Sequence, residues 1–142
     1  MKRIIFVCTG NTCRSPMAKV LFEKHLNDKK VQNVEVDSCG IFATKGSPAA
    51  KNAVIIAKKL GADLKDHKSK PLNNEIIQGT SLFVCMSEKH SLMLQRLVAQ
   101  DKTIVLGDGI PDPYGQNEGE YMKCAQKIIE GFEQIASMLD KK

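Results

Sequence analysis

The 142-residue sequence has no tryptophan and only two tyrosines. Arginine is scarce as well: Arg3, Arg14 and Arg96 are the only arginines among 21 basic residues. Nucleic-acid readers draw heavily on arginine and aromatic side chains, so no nucleic-acid partner is expected. No apolar run approaches the ~18 residues a membrane span needs, which excludes a membrane partner of that kind. The apolar stretch Ile4 to Val7 behind Met1-Lys2-Arg3 is too short for a signal peptide, so a cytoplasmic protein is expected. Cysteine comes in an odd number, five, and without an export signal these read as reduced thiols. Cys8 and Cys13 stand close together, but no second Cys or His pair completes a four-ligand set, so no metal is expected. The nucleotide-binding pattern G-x-x-x-x-G-K-[ST] is missing, since Gly10 is followed by no glycine until Gly40.

What is there is ordinary in bulk: 42% hydrophobic and 26% charged residues, with no internal repeat, low-complexity tract or linker. That composition excludes a disordered tail, a coiled-coil rod and a disulfide-dense miniprotein. At this length the prior of roughly 100 to 200 residues per domain makes 1–142 a single domain. The net charge of +5 is unevenly spread. Residues 1–71 carry 14 Lys+Arg against 6 Asp+Glu, while residues 72–142 carry 7 against 10. The first half therefore attracts anions, although lysine is also the default solubilising residue.

Continuous apolar runs at Ile4 to Val7, Leu82 to Met86 and Thr103 to Leu106 read as buried parallel strands, and Val31 to Val36 as a fourth. Between them lie helices with recognisable starts. Ser15-Pro16 predicts an N-cap followed by proline at the first helical position, and Ser47-Pro48 repeats the signal for a helix ended by Gly61 in the left-handed region. Ser87 caps a third helix, Glu88 to Val98. Asn117 with Glu120 resembles a capping box opening one long final helix through Leu139. Strands and helices in alternation imply a parallel sheet with helices on both faces, which binds ligands at the carboxyl ends of its strands.

The first of those ends is Cys8-Thr9-Gly10-Asn11-Thr12-Cys13-Arg14-Ser15-Pro16. A loop entering a helix N-terminus turns backbone N–H groups and the positive end of the helix dipole toward one point, a cradle for a tetrahedral anion. Gly10 and Asn11 tolerate the left-handed dihedrals such a loop requires. Arg14 can hold two oxygens of a phosphate bidentately, and both it and the loop dipoles favour the thiolate of Cys8. A thiolate at the floor of a phosphate cup is an in-line nucleophile. Asp112-Pro113-Tyr114-Gly115 lies in a Gly- and Pro-rich loop after the fourth strand, where Asp112 would stand over the cup and Tyr114 would wall a planar leaving group.

These residues resemble the low-molecular-weight protein tyrosine phosphatases, and the resemblance runs over essentially the whole chain: its length, V-C-T-G-N-T-C-R-S-P near the start, D-P-Y-G near the end, and the element order. It implies an α/β three-layer α/β/α sandwich with a four-stranded parallel sheet of order 2-1-3-4. It also implies a phosphocysteine mechanism with Cys8 as nucleophile, Arg14 as the phosphate-binding arginine and Asp112 as general acid. The loop residues Thr9, Gly10, Asn11, Thr12, Cys13 and Ser15 would hold the phosphate, and Asn11, Ser15, Ser38 and His67 would form a supporting hydrogen-bond network. Cys13 matches a cysteine that in some relatives protects the nucleophile as a disulfide. Phosphorylated proteins would be the substrates and inorganic phosphate the product, with no metal or organic cofactor.

Two rivals share the first strand's cysteine. A redox enzyme of arsenate-reductase type would need two further relay cysteines after the third strand, yet Cys85 lies inside the apolar run and the following helix has none. A phosphocysteine carrier would need to preserve its intermediate, which Arg14 and Asp112 together would discharge to water. Within the resemblance, tyrosine-directed members commonly carry a branched aliphatic residue where this sequence has Thr12, and a bacterial branch acts on phosphoarginine. A threonine exchanges apolar bulk for room and a hydroxyl, which suits a guanidinium, while Tyr114 suits a phenyl ring as well as a planar guanidinium, so phosphotyrosine and phosphoarginine both stand as substrates. The acidic residues Asp108, Glu118 and Glu120 would then be available to receive that cation.

Overall fold

The computed structural model describes residues 2–140. Four parallel strands, β1 (Lys2–Cys8), β2 (Val34–Gly40), β3 (Leu82–Cys85) and β4 (Thr103–Val105), form one sheet of order β2-β1-β3-β4. Cys8 pairs with Gly40, Val7 with Cys85, and Cys85 with Val105, so all four strands end along one edge. The chain leaves β1 for β2 on one side and reaches β3 on the other. This reversal opens a crevice at the carboxyl end of β1.

Six helices cover the sheet: α1 (Arg14–Asp28), α2 (Lys51–Lys59), α3 (Asn74–Gly79), α4 (Glu88–Leu94), α5 (Glu118–Glu130) and α6 (Phe132–Asp140). On one face Ile4, Phe6, Leu82 and Val84 pack against Met17 and Phe22 of α1, Ile56 of α2, Ile128 of α5 and Ile135 of α6. On the other face Ile5, Val7, Phe83 and Cys85 meet Ile76 of α3 and Leu94 of α4. Both faces are covered, which is why β1 and β3 carry unbroken apolar runs rather than alternation. Phe22 binds the first layer together, meeting Phe6 at a centroid distance of 5.7 Å and Phe132 at 5.0 Å, both edge-on.

Several predicted boundaries move. β2 starts at Val34, not Val31, because the end of α1 consumes the intervening residues. Lys30 turns into the left-handed region at φ 57°, and the N–H of Val31 returns to the Leu26 carbonyl. β2 also runs on to Gly40 through the buried Ser38 and Cys39, whose polarity hid the strand. Ser15 is not the cap of α1. Cys13 holds that position, Ser15 and Pro16 lie within the first turn, and the N–H of Met17 closes it on the Cys13 carbonyl. Proline fits there because a first-turn residue has no intrahelical acceptor for an N–H. Ser47-Pro48 precedes α2 without capping it: Pro48 forms an isolated bridge with Lys68, and Ala50 is the cap residue. Ser87 caps α4 as expected, but that helix stops at Leu94, short of Val98. Asn117 caps α5 through the N–H of Glu120, while the Glu120 carboxylate turns to Lys123 instead of completing a box. The single final helix is two, divided at Gly131, where a β-carbon would come within 2.5 Å of Leu106 Cδ1.

Candidate active site

The loop from Cys8 to Ser15 is built around Asn11, which takes the left-handed conformation at φ 58° and is fully buried. Its side-chain amide donates to Ser15 Oγ at 2.8 Å and to Ser38 Oγ at 2.9 Å, and its Oδ1 accepts the N–H of Lys70 at 2.9 Å. The Asn11 carbonyl pairs with His67 Nε2 at 2.7 Å. Burial holds His67 below the ordinary histidine range, so the neutral ring donates this bond. Of the two residues that tolerate left-handed or strained dihedrals, Asn11 alone is left-handed, and a β-carbon at Gly10 would meet only Thr12 Oγ1, at 3.9 Å.

The segment after β2 clasps the same loop from outside. The N–H of Ile41 donates to the Cys8 carbonyl at 3.0 Å, that of Phe42 to Thr9 at 3.0 Å, and that of Ala50 to Thr12 at 2.9 Å. Gly40 allows this approach, since a β-carbon there would lie 2.6 Å from the Thr9 carbonyl oxygen and 2.9 Å from the Asn11 nitrogen.

Cys8 is buried at the end of β1, and its Sγ lies 2.9 Å from Ser15 Oγ and 3.3 Å from the Asn11 nitrogen. Because Asn11 already donates to Ser15 Oγ, the serine proton is shared between the sulfur at 2.9 Å and the Cys39 carbonyl at 3.4 Å. Sγ thus lies against the Ser15 hydroxyl and the Asn11 N–H together. The N–H groups of Cys13, Arg14 and Ser15 open α1 and have no intrahelical acceptor. Arg14 is buried too, with Nη1 on the Ile110 carbonyl at 2.9 Å and Nη2 facing Asp112 Oδ2 at 3.6 Å. Its Nε is buried and lacks a protein partner among the described residues.

Asp112 sits in the loop after β4, fixed by the Ile110 N–H on the Met86 carbonyl at 2.7 Å. The Asp112 carboxylate also accepts the N–H of Tyr114 at 3.1 Å, and its side chain is 51% exposed. Cys8, Thr9, Gly10, Thr12, Cys13, Arg14, Asp112 and Tyr114 line one cleft of about 230 Å³. Asn11, Ser15 and Ser38 are buried. Cys13 Sγ contacts Tyr121 Oη at 3.3 Å, and burial pushes both the thiol and the phenol up from their ordinary values. The remaining thiols Cys39, Cys85 and Cys124 are pushed up to about 12 by burial, which keeps them protonated. Among the described residues no group of three acidic, His or Cys side chains clusters to hold a metal ion.

The acidic neighbours do not gather as expected. Glu118 pairs with Lys59 at 3.3 Å, Glu120 with Lys123 at 3.3 Å, and Asp108 is exposed outside the cleft lining. Two residues escaped the sequence reading. Phe42 stands 66% exposed beside the loop it clasps, and His90 is buried with its ring on Thr9. The spacing Ser87-x-x-His90, a cap with a ring three residues on, was the available signal for the second. A larger groove of about 610 Å³, lined by Phe22, His25 and Leu139 among others, lies at the amino end of the sheet. It holds neither the cysteine nor the helix N-terminus, so the smaller cleft is the chemical one.

A sulfur buried under converging N–H and O–H donors, with an arginine beside it, defines an α/β protein that handles tetrahedral oxyanions through a cysteine. Residues 3–142 match the family described as Low molecular weight phosphotyrosine protein phosphatase, and the chain belongs to that family of protein phosphatases. A protein-arginine-phosphatase of Geobacillus stearothermophilus is 41% identical over 96% of this chain and 95% of its own length. A low molecular weight protein tyrosine phosphatase from T. tengcongensis superposes with a TM-score of 0.90 at 33% identity, covering 96% of this chain and 99% of its own. A mutant of the YwlE arginine phosphatase carrying a phosphorylated active-site serine superposes with a TM-score of 0.89 at 32% identity, over 99% and 97% of the two chains.

Proposed function

We propose that residues 1–142 act as one cytoplasmic phosphatase domain that hydrolyses phosphorylated side chains of proteins through a phosphocysteine intermediate, with phosphoarginine preferred over phosphotyrosine. The observation that carries this reading is Cys8 Sγ held under the Ser15 hydroxyl and the Asn11 N–H, in the cleft that also holds Arg14 and Asp112.

The substrate phosphoryl group enters with its oxygens on the loop N–H groups from Thr9 to Ser15, and Arg14 takes two of them, its buried Nε gaining the acceptor that the protein does not supply. Cys8 Sγ attacks phosphorus in line. As the S–P bond forms, the bond from phosphorus to the leaving oxygen or nitrogen breaks, and Asp112 gives that atom a proton. The Asp112 carboxylate then takes a proton from a water molecule, whose oxygen attacks phosphorus and breaks the S–P bond. Inorganic phosphate departs and the thiolate is restored. Every electron pair and proton is accounted for without a metal, an organic cofactor, a nucleic acid or a membrane.

Support for phosphoarginine comes from Thr12, a half-buried lining residue of the cleft, and from the name of the 41%-identical relative. Tyr114, 72% exposed and lining the cleft, offers a flat apolar wall on which a guanidinium or a phenyl ring can stack. Incubating the purified protein with chelator and with phosphoarginine or phosphotyrosine peptides tests the reading. Multiple equivalents of phosphate released support it, with the higher kcat/KM on phosphoarginine. A single stoichiometric labelling without turnover would instead make the protein a carrier.

A further inference from the structure

His90 lies in the first turn of α4, on the opposite side of the phosphate loop from the segment that clasps it, and its ring is almost completely buried. Both ring nitrogens are engaged: Nδ1 with Ser87 Oγ at 3.0 Å and Nε2 with Thr9 Oγ1 at 2.9 Å. Ser87 Oγ also accepts the backbone N–H of His90, at 3.4 Å. Burial first, and then the cations of Arg14 and Lys89, hold this imidazole down to about 4, so at neutral pH it carries one proton. A neutral ring must donate from one nitrogen and accept at the other. The neutral ring admits two arrangements: Ser87 Oγ–H to Nδ1 with Nε2–H to Thr9 Oγ1, or Nδ1–H to Ser87 Oγ with the Thr9 hydroxyl donating to Nε2. In either one Thr9 Oγ1 is tied to Nε2, on an exposed residue that lines the cleft.

We propose that His90 is a positioning residue of the reaction: held by Ser87, its imidazole fixes the side chain of Thr9, the residue directly after the nucleophile, at the wall of the cleft. Thr9 is thereby pinned twice, by the Phe42 N–H on its carbonyl and by His90 on its hydroxyl. The first N–H donors of the cup hang between those two anchors. The ground state of the loop has other supports in Asn11, Ser38 and His67, so losing His90 loosens one corner of the cup. The cost falls on the transition state, where the phosphoryl oxygens make their closest demands on geometry.

This inference rests on the phosphatase reading, and the test separates the two. Steady-state kinetics with para-nitrophenyl phosphate would be measured for wild type, His90→Phe, His90→Gln, Thr9→Val, Thr9→Ser and the double variant Thr9→Val/His90→Phe, together with the affinity for orthophosphate. Absence of turnover in wild type would defeat the phosphatase reading itself. Given turnover, His90→Phe and Thr9→Val should each lower kcat about 10-fold, the scale of one lost hydrogen bond to the reacting assembly, while KM and phosphate affinity change less than about 3-fold. The double variant should be no slower than either single one, because both remove the same bond. His90→Gln and Thr9→Ser, which keep a polar partner, should recover most of the rate. A kcat within 2-fold of wild type for Thr9→Val, losses that multiply in the double variant, or His90→Gln no better than His90→Phe would each overturn the proposal. If His90→Phe fails to fold, the two Thr9 variants at the exposed position still decide it.

Discussion

Asp112 Oδ2 faces Arg14 Nη2 across 3.6 Å at the rim of the cleft, half exposed while the guanidinium is buried. The pairing keeps the carboxylate over the phosphate site without burying it, so it stays able to exchange protons with solvent. In the proposed mechanism Asp112 is the general acid, a role that matters most when the leaving group is a poor one. Asp112→Asn should therefore slow hydrolysis of phosphate esters with poor leaving groups by ~10²- to 10⁴-fold and those with good ones far less. Equal losses across a leaving-group series, measured by kcat/KM, would remove Asp112 from that role.

The proposed preference for phosphoarginine makes Thr12 the residue to test. Thr12→Ile replaces a hydroxyl in the cleft wall with apolar bulk and should shift the ratio of kcat/KM toward phosphotyrosine peptides over phosphoarginine peptides by at least ~10-fold, about 1.4 kcal/mol. An unchanged ratio would leave Thr12 without a part in specificity.

Gly40 and Gly10 should respond in opposite ways. A β-carbon at Gly40 meets backbone at 2.6 Å and 2.9 Å, so Gly40→Ala must push the phosphate loop aside. Overpacking of this kind typically costs about 1–3 kcal/mol, and kcat/KM should fall at least ~10-fold. Gly10→Ala should leave the melting temperature within about 2 °C, since its β-carbon meets nothing closer than 3.9 Å. Thermal melts and kinetics on both variants check the pair.

The fold should weaken in mild acid partly through His90. In the unfolded chain an imidazole titrates near 6.5, while in the fold His90 is held down to about 4. Between those values the unfolded chain binds a proton that the folded one refuses. This contribution is whole above about pH 6.5 and is lost as the pH falls toward 4; His67 acts in the same direction. Urea unfolding near pH 7.5 and pH 5 should show wild type losing roughly 2 kcal/mol more than His90→Gln. Equal losses would mean that the ring is not held neutral.

Strands β1 and β3 and the phosphate loop were legible because each rests on local signals, unbroken apolar runs and the run from Cys8 to Pro16 with its single glycine, whereas the sheet order was implied by the family resemblance alone. Helix starts were read less well. Ser15 and Ser47 have the chemistry of caps, but Ser15 is taken by the sulfur and by Asn11, a tertiary demand that no local pattern records. Asn11 as the centre of the loop, Gly40 as the point of close approach and His90 as a lateral support all depend on contacts between residues 27 to 81 positions apart. Glu118 and Glu120 misled in the opposite way, since proximity in sequence to Asp112 put them on α5, where lysines claim them.

The central claim is that Cys8 carries the phosphoryl group. Cys8→Ser keeps the loop donors and Arg14 but substitutes a hydroxyl that is not ionised at neutral pH. Turnover of para-nitrophenyl phosphate and orthophosphate affinity by calorimetry should be measured on the same preparation. The kcat should fall at least ~10³-fold with phosphate affinity within ~10-fold of wild type. A Cys8→Ser protein that keeps most of the wild-type rate would contradict that claim.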